Sequence, residues 1–446
     1  MNNNIKTKNF KIITLGCKVN LFESESIAYT LIKAGYNQTA SDKNADIIIV
    51  NTCAVTGKAS MQSRQAVRKS ASLKSFDKKR KLIVTGCYAQ IEYEETKKID
   101  DIDAVIGNLN KHNIAEIILK NNYDKYIFDK KNIFSEKSFF CIPDTPIGLR
   151  SRPFLKIQDG CSSFCSYCIV PYARGKSKSM PFDTVLDCVK KFGNAGYYEA
   201  VLTGINLGNY GADLMPAANL FKLLKKIERT KPVGRIRLSS IEPNKLTENI
   251  IKLAADSNIL CRHFHIPLQS GDNKILLQMK RAYQAEDFEN IVKKIAKLTP
   301  NAAIGADVIV GFPNETEEAF NNTYQLIKKL PITYLHVFPF SPRKGTPAAK
   351  FLKQIPYDII KKRALRLREL GKIKKNLFYN RMKNFILETV IEKKDKNNPE
   401  LLKGITSNYI PVFFPYHKEN IKSGSMVKIK ITSVTQDNRV QGEAIR

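Results

Sequence analysis

The chain has 446 residues, a length that suggests about three domains. With 43% apolar residues it can bury ordinary cores, which excludes a largely disordered chain, and no run approaches the roughly 18 apolar residues of a membrane span. The net charge is +31, from 73 Lys+Arg against 42 Asp+Glu. Part of that excess belongs to a Lys- and Asn-rich composition, but it still attracts polyanions, and no basic helix adjoins a lipid-ready apolar face. A nucleic-acid partner is therefore expected, with no membrane. The basic N-terminus carries too short an apolar stretch for a signal peptide, so the expected location is cytoplasmic. In that compartment nine cysteines read as thiolate ligands or core residues rather than as disulfides.

Residues 9–120 alternate strand and helix signals. "FKIITLGC", "ADIIIVNTC" and "RKLIVTGC" are short β-branched runs, each ending at a cysteine. Cys17, Cys53 and Cys87 stand 36 and 34 positions apart, about one βαβ unit each. Residues just past neighbouring parallel strand ends share one crevice, so the three are expected to converge. Residues 121–147 lack periodicity and read as a linker, with Cys141 beside Phe139 and Phe140 assigned to packing.

Residues 148–378 carry a second α/β pattern. Its strand candidates are "PFLKIQ", "EAVLTGIN", "GRIRLSSI", "HFHIPLQ", "AAIGADVIVGF" and "TYLHVFPF". Six βα repeats are too few for an eight-stranded barrel and fit an open one. Between the first two strands, Val185, Cys188, Val189 and Phe192 form a helical stripe that places Cys188 in the core. Residues 357–383 read as a long basic helix including Arg363, Arg366 and Arg368, and one-signed charge of this kind suits phosphates. The tail, 379–446, has the short strands "FILETVIEKK", "YIPVFFPY", "SMVKIKITSVTQ" and "RVQGEAI", as in a small barrel of the OB type.

In "DGCSSFCSYCIVPYARG", Cys161, Cys165 and Cys168 have C-x3-C-x2-C spacing with no fourth cysteine nearby. A structural zinc site closes with four ligands, and completion by Cys261 or His265 is one reading. The more economical one is a [4Fe–4S] cubane with three irons held by protein and one open, able to take the amino-acid head of S-adenosylmethionine (SAM).

"CSSFCSYC" resembles the radical SAM signature, with Tyr167 as its aromatic residue. "TLGCKVNLFESE", "VNTCAVT", "TGCYAQ", "LTGINLGNYG", "HIPLQSG", "GADVIVGFPNET" and "FSPRKGTPAA" extend the resemblance over nearly the whole chain, to the methylthiotransferase family. "LGCKVN" and "FLKIQDGCSSFCSYCIVPYARG" look most like the branch that modifies N6-threonylcarbamoyladenosine at tRNA position 37. The resemblance implies an N-terminal cluster domain, a partial radical SAM barrel and a C-terminal TRAM barrel. It implies two [4Fe–4S] clusters, an auxiliary one on Cys17, Cys53 and Cys87 and the radical SAM one on Cys161, Cys165 and Cys168. Two SAM molecules would serve, one as methyl donor and one as radical source, because adenine C2 carries an unactivated C–H that no acid or base removes at neutral pH. Gly204, Glu242 and Gly305 resemble strand-end positions near SAM.

The implied partners are the tRNA anticodon stem-loop, a sulfur source and a low-potential electron donor such as flavodoxin or ferredoxin, with the chain a monomer. A base that must reach an iron site is splayed from its loop. Lys58, Arg64, Arg68 and Lys69 after Cys53, Arg174, Lys176 and Lys178 after Cys168, and Arg366 and Arg368 are the expected RNA contacts. The alternatives are the same chemistry on isopentenyladenosine-37, or on a ribosomal-protein aspartate, and a non-enzymatic iron–sulfur RNA-binding or electron-transfer protein. Against the last, a pure carrier needs no open coordination site on both clusters.

Overall fold

The computed structural model describes residues 8–120, 123, 133–134, 139, 150–415 and 422–445. Its chain divides into two compact units. Unit 1 holds residues 1–146, 158–180 and 341–346, and unit 2 holds 147–157, 181–340 and 347–446. Two stretches expected in the central domain thus pack with the N-terminal one. Cys141 and most of the expected linker lie outside the described residues, and Tyr123 and Ile133 from that stretch are buried.

Unit 1 opens with β1 (Asn9–Thr14), α1 (Lys18–Lys33), β2 (Asn37–Gln38), β3 (Ile47–Thr52), α2 (Gly57–Ser75) and β4 (Lys81–Gly86). After these come α3 (Cys87–Ile91), α4 (Tyr93–Lys97), β5 (Ala104–Ile106) and α5 (Ile114–Leu119). The five strands form one parallel sheet in the order β2-β1-β3-β4-β5. β3 is buried along its whole length, as a continuous Ile-Ile-Ile-Val run requires of a central parallel strand. Sequence periodicity missed β2 and β5 because two or three residues carry too little alternation to register.

Unit 2 contributes β6 (Phe154–Lys156) before the chain re-enters unit 1 for β7 (Gln158–Asp159), α6 (Val170–Arg174) and β8 (Lys178–Ser179). The remainder of the second α/β pattern is α7 (Phe182–Asn194), β9 (Glu199–Thr203), α8 (Leu220–Thr230), β10 (Arg235–Leu238), α9 (Glu248–Asp256) and β11 (His263–His265). It ends with α10 (Asn273–Gln278), α11 (Ala285–Leu298), β12 (Ala303–Val310), α12 (Glu317–Lys329), β13 (Tyr334–Pro339) and α13 (Tyr357–Arg381).

Sheets β6-β9-β10 and β11-β12-β13 are parallel throughout, and an Ile236–Leu260 bridge links them. The result is an open arc of six strands, a partial (β/α)6 barrel at the six positions the sequence predicts. On α7, Val185, Val189 and Phe192 are fully buried, whereas Cys188 is only partly so.

β14 (Ile386–Lys394), β15 (Leu401–Thr406), β16 (Pro411–Pro415), β17 (Met426–Val434) and β18 (Val440–Ala444) close into a barrel ordered β14-β15-β16-β18-β17. This is the expected small all-β domain with one more strand than predicted. β15, "LLKGIT", escapes sequence reading because Lys403 and Gly404 interrupt its apolar pattern. No described helix is long and apolar enough to cross a membrane.

Candidate metal centres and their surroundings

β1, β3 and β4 are adjacent in the sheet, and each ends at a cysteine. Cys17 caps the N-terminus of α1, Cys53 follows β3 directly, and Cys87 opens α3. The ladders that pair Thr14 with Asn51 and Thr52 with Gly86 bring the three strand ends level. Gly16 makes the convergence tight, for a Cβ there would lie 2.7 Å from the Cys53 Sγ. An Asn108 amide approaches the Cys87 Sγ at 3.8 Å and donates to the Ala173 carbonyl at 2.7 Å.

The second triad lies on a loop whose base is stapled by the antiparallel pair β7–β8. The Gln158 amide ties Gly160 O (2.8 Å) to Ser177 Oγ (2.9 Å), and Cys161 N donates to Gly175 O at 3.0 Å. Gly160 has φ +66, and a Cβ on it would stand 2.1 Å from the Lys176 carbonyl oxygen, so only glycine starts this loop. Cys168 N closes a turn onto Cys165 O at 3.0 Å. Cys165 is buried, while Cys161 and Cys168 are partly exposed. Ile169 and Ala173, just past the loop, pack with Cys87, Tyr88 and Ala54, so the flanks of both triads share one apolar cluster in unit 1.

The donor set fits iron–sulfur clusters. Burial, reinforced by the nearby Cys87 charge, pushes the Cys53 thiol up to about 12, and burial also raises Cys17. Arg174 pulls both back down. Three thiolates this close, two of them buried, would repel one another, and a cationic iron centre removes that cost. The alternative zinc ligands have other company in unit 2. Cys261 sits near the Arg237–Glu199 pair, its thiol pushed up to about 11 by burial, and His265 Nε2 meets Asp307 Oδ1 at 2.8 Å.

Several expected contacts are corrected. Arg174 was expected beside phosphates; it is buried, paired with Glu23 and Asp159 at 2.9 Å each. Lys178 is also buried, within β8. Both follow the cysteine loop closely, and a loop this constrained folds its flanks inward. In the basic helix, Arg363 is buried against Glu315 (2.7 Å) and Glu317 (3.1 Å). Arg366, exposed, pairs with Glu317 at 2.8 Å and lies over the Phe320 ring. Lys58, Arg64, Arg68, Lys69, Lys176 and Arg368 are exposed, with Lys69 reaching Asp42 at 3.2 Å.

Gly305 is not at a strand end. It lies within β12, where the Tyr334 ring fills the place of a side chain, 2.0 Å from a would-be Cβ. Gly204 does follow β9 directly, and Glu242 follows β10 and pairs with Arg281 at 3.0 Å. Tyr167 is half-buried in the cysteine loop. Sequence reading missed a His265–Asp307–His336 group on β11, β12 and β13, whose ligand atoms lie within 4.8 Å of one another. Histidines at strand positions were its available signal. Arg343 was missed as well, although "FSPRKG" was in view.

Comparison with known proteins defines the class. Residues 155–327 match the model described as the Radical SAM superfamily, and residues 9–107 match one described as Uncharacterized protein family UPF0004. A solved radical SAM methyltransferase, TsrM of Kitasatospora setae, shares the fold at TM-score 0.56 and 13% identity, over 77% of each chain. The chain is 36% identical to the threonylcarbamoyladenosine tRNA methylthiotransferase MtaB of Aquifex aeolicus, over 94% of this chain and 98% of that one. It is 37% identical to the tRNA-2-methylthio-N(6)-dimethylallyladenosine synthase of Clostridium botulinum (strain Hall), over 97% of each. The chain belongs to the radical SAM methylthiotransferase family.

Proposed function

We propose that this protein places a methylthio group on C2 of N6-threonylcarbamoyladenosine at position 37 of tRNA. The observation that carries the reading is the pair of three-thiol sets in one compact unit, one at three adjacent strand ends and one on a stapled loop. Relatives of nearly full length bear names for this activity. We assign Cys17, Cys53 and Cys87 to an auxiliary [4Fe–4S] cluster and Cys161, Cys165 and Cys168 to the radical SAM cluster. When bound, these clusters and SAM supply the radical hydrogen abstraction and the sulfur that an unactivated adenine C–H requires.

The chain's own residues shape the setting. Arg174 offsets negative charge beside the strand-end thiols, and Gly160 lets the loop turn without strain. We assign Tyr167, Gly204 and Glu242 to SAM. Lys58, Lys69 and Lys176 are exposed cations in unit 1 suited to the backbone of a splayed anticodon loop, with Arg366 and Arg368 and the C-terminal barrel as a second hold. A low-potential electron donor of flavodoxin or ferredoxin type and a separate sulfur source complete the reaction, in the cytoplasm, with the chain acting as a monomer.

Nucleoside mass spectrometry of bulk tRNA from a deletion strain tests the reading. Loss of 2-methylthio-N6-threonylcarbamoyladenosine is expected. Loss of the methylthio-isopentenyl nucleoside would move the substrate to the second branch. Intact tRNA with an unmodified ribosomal-protein aspartate would move the chemistry to protein.

A further inference from the structure

Six arginines are buried among the described residues, and five of them meet a carboxylate. Arg80 reaches Asp77, Arg174 reaches Glu23, Arg235 and Arg237 reach Glu199, and Arg363 reaches Glu315. Arg343 is the exception. It is 8% exposed, its Nη2 donates to Ser60 Oγ at 2.7 Å, and its Nε finds no hydrogen-bond partner among the described residues. Glu92, the Cys53 thiol and the Tyr88 phenol act on it only through space. A buried guanidinium left this way carries an uncompensated desolvation cost, which an arriving anion would repay.

The anion has somewhere to sit. Arg343 lines a cavity of about 540 Å³ within unit 1, together with Tyr88 from α3 and Arg64 and Arg68 from α2. Arg64 and Arg68 are one helical turn apart and exposed, and the Arg64 guanidinium lies against the Tyr88 phenol. Tyr88 directly follows Cys87 and packs with Ala54, the residue after Cys53, so the cavity adjoins the strand-end thiols. A group bound there lies beside any molecule presented to those thiols.

Glu92 and Glu95 share the lining, and they narrow the choice. A phosphodiester offers only acceptors, which two carboxylates repel. A threonylcarbamoyl group combines a carboxylate with a hydroxyl and urea-type N–H donors, a set that three arginines and two glutamates complement.

We propose that this cavity recognises the threonylcarbamoyl side chain of the substrate, with Arg343 as the buried anchor for its carboxylate. The assignment rests on the proposed function and names the specificity site of that reaction.

Equilibrium binding to the anaerobically reconstituted protein tests it, using three anticodon stem-loop RNAs that differ only at position 37: threonylcarbamoyladenosine, adenosine and isopentenyladenosine. The unaltered protein is expected to prefer the threonylcarbamoyl loop over the adenosine loop by about tenfold or more. Arg343→Gln is expected to bring that ratio close to 1 while moving the affinity for the adenosine loop less than about twofold. Arg64→Gln, at an exposed position where folding is not at stake, is expected to lower the ratio part of the way. A proportional loss on all three loops would make Arg343 a backbone-phosphate contact and overturn the inference, as would an unchanged ratio in both variants. A preference of the unaltered protein for the isopentenyl loop would sink the proposed nucleoside itself, whatever the variants do.

Discussion

Glu23 and Arg174 form a bidentate ion pair, Oε1 to Nη1 at 2.9 Å and Oε2 to Nη2 at 3.1 Å, although 151 positions separate them in the chain. The guanidinium also takes Asp159 Oδ1 at 2.9 Å and Asn20 Oδ1 at 2.6 Å, and Lys111 Nζ reaches Glu23 at 2.7 Å. Glu23 lies on the helix that Cys17 caps, Asp159 stands two residues before Cys161, and Arg174 six after Cys168. The network therefore fastens the loop of one triad to the sheet of the other. Arg174→Gln leaves the buried Glu23 and the partly buried Asp159 with one fewer cation and is expected to cost about 3–5 kcal/mol in denaturant unfolding of unit 1. Arg174→Lys keeps the charge but not the fork, and should recover only part of the loss. Unchanged unfolding for Arg174→Gln would mean that the pair contributes nothing.

The two triads should be separable. Anaerobic reconstitution is expected to load about eight irons per chain, and Cys17→Ala or Cys165→Ala about four each. Cys17→Ala should still cleave SAM reductively without methylthiolation, and Cys165→Ala should do neither. Methylthiolation surviving in Cys17→Ala would remove the strand-end thiols from the reaction.

Proton competition at the strand-end triad follows from burial. Cys53, raised to about 12, holds its proton in the folded apo-protein at pH values where an unfolded thiol has lost it. This preference stabilises the apo fold below about pH 8.5, the ordinary thiol value, and is lost as pH rises toward the folded value. Iron must displace that proton, so loading of this triad should improve from about pH 6.5 to about pH 8.5. In apo-protein at neutral pH, alkylation followed by peptide mapping should label Cys53 more slowly than the partly exposed Cys161. Equal labelling rates would contradict the burial argument.

Glu199 anchors unit 2. It is fully buried and meets Arg235 (2.5 Å), Arg237 (2.8 Å) and Arg152 (3.0 Å). The two strand arginines go on to donate to carbonyls of the C-terminal barrel, Arg235 to Ile405 and Arg237 to Thr406. Glu199→Gln takes the carboxylate from Arg235 and Arg237, leaving Arg152 with Glu392 alone, and is expected to cost about 3–5 kcal/mol, lowering the unit 2 melting transition by roughly 10 °C. A shift of a degree or two in calorimetry would show that the arginines find other partners.

Much of this architecture was readable from local pattern. Runs such as "ADIIIVNTC" announce a buried parallel strand, and the shared phase of Cys17, Cys53 and Cys87 anticipates their meeting, because a strand's length and direction are set by neighbouring residues. The six strands of the partial barrel follow from the same signal. Sequence reading failed where the outcome depends on a distant partner. Arg174 and Lys178 read as RNA contacts, and Gly305 as a close approach to ligand, until the tertiary structure supplied Glu23, Asp159 and Tyr334.

The division is physical. By itself the sequence determined the six clustered cysteines, their grouping in threes and the strands that carry them, since spacing along the backbone limits where thiols can converge. Only the tertiary structure decided which of the many cations are paired and which are left without a carboxylate. Desolvation and ion pairing depend on what packs against a side chain, so Arg174 is matched and Arg343, equally basic in the sequence, meets no carboxylate among the described residues.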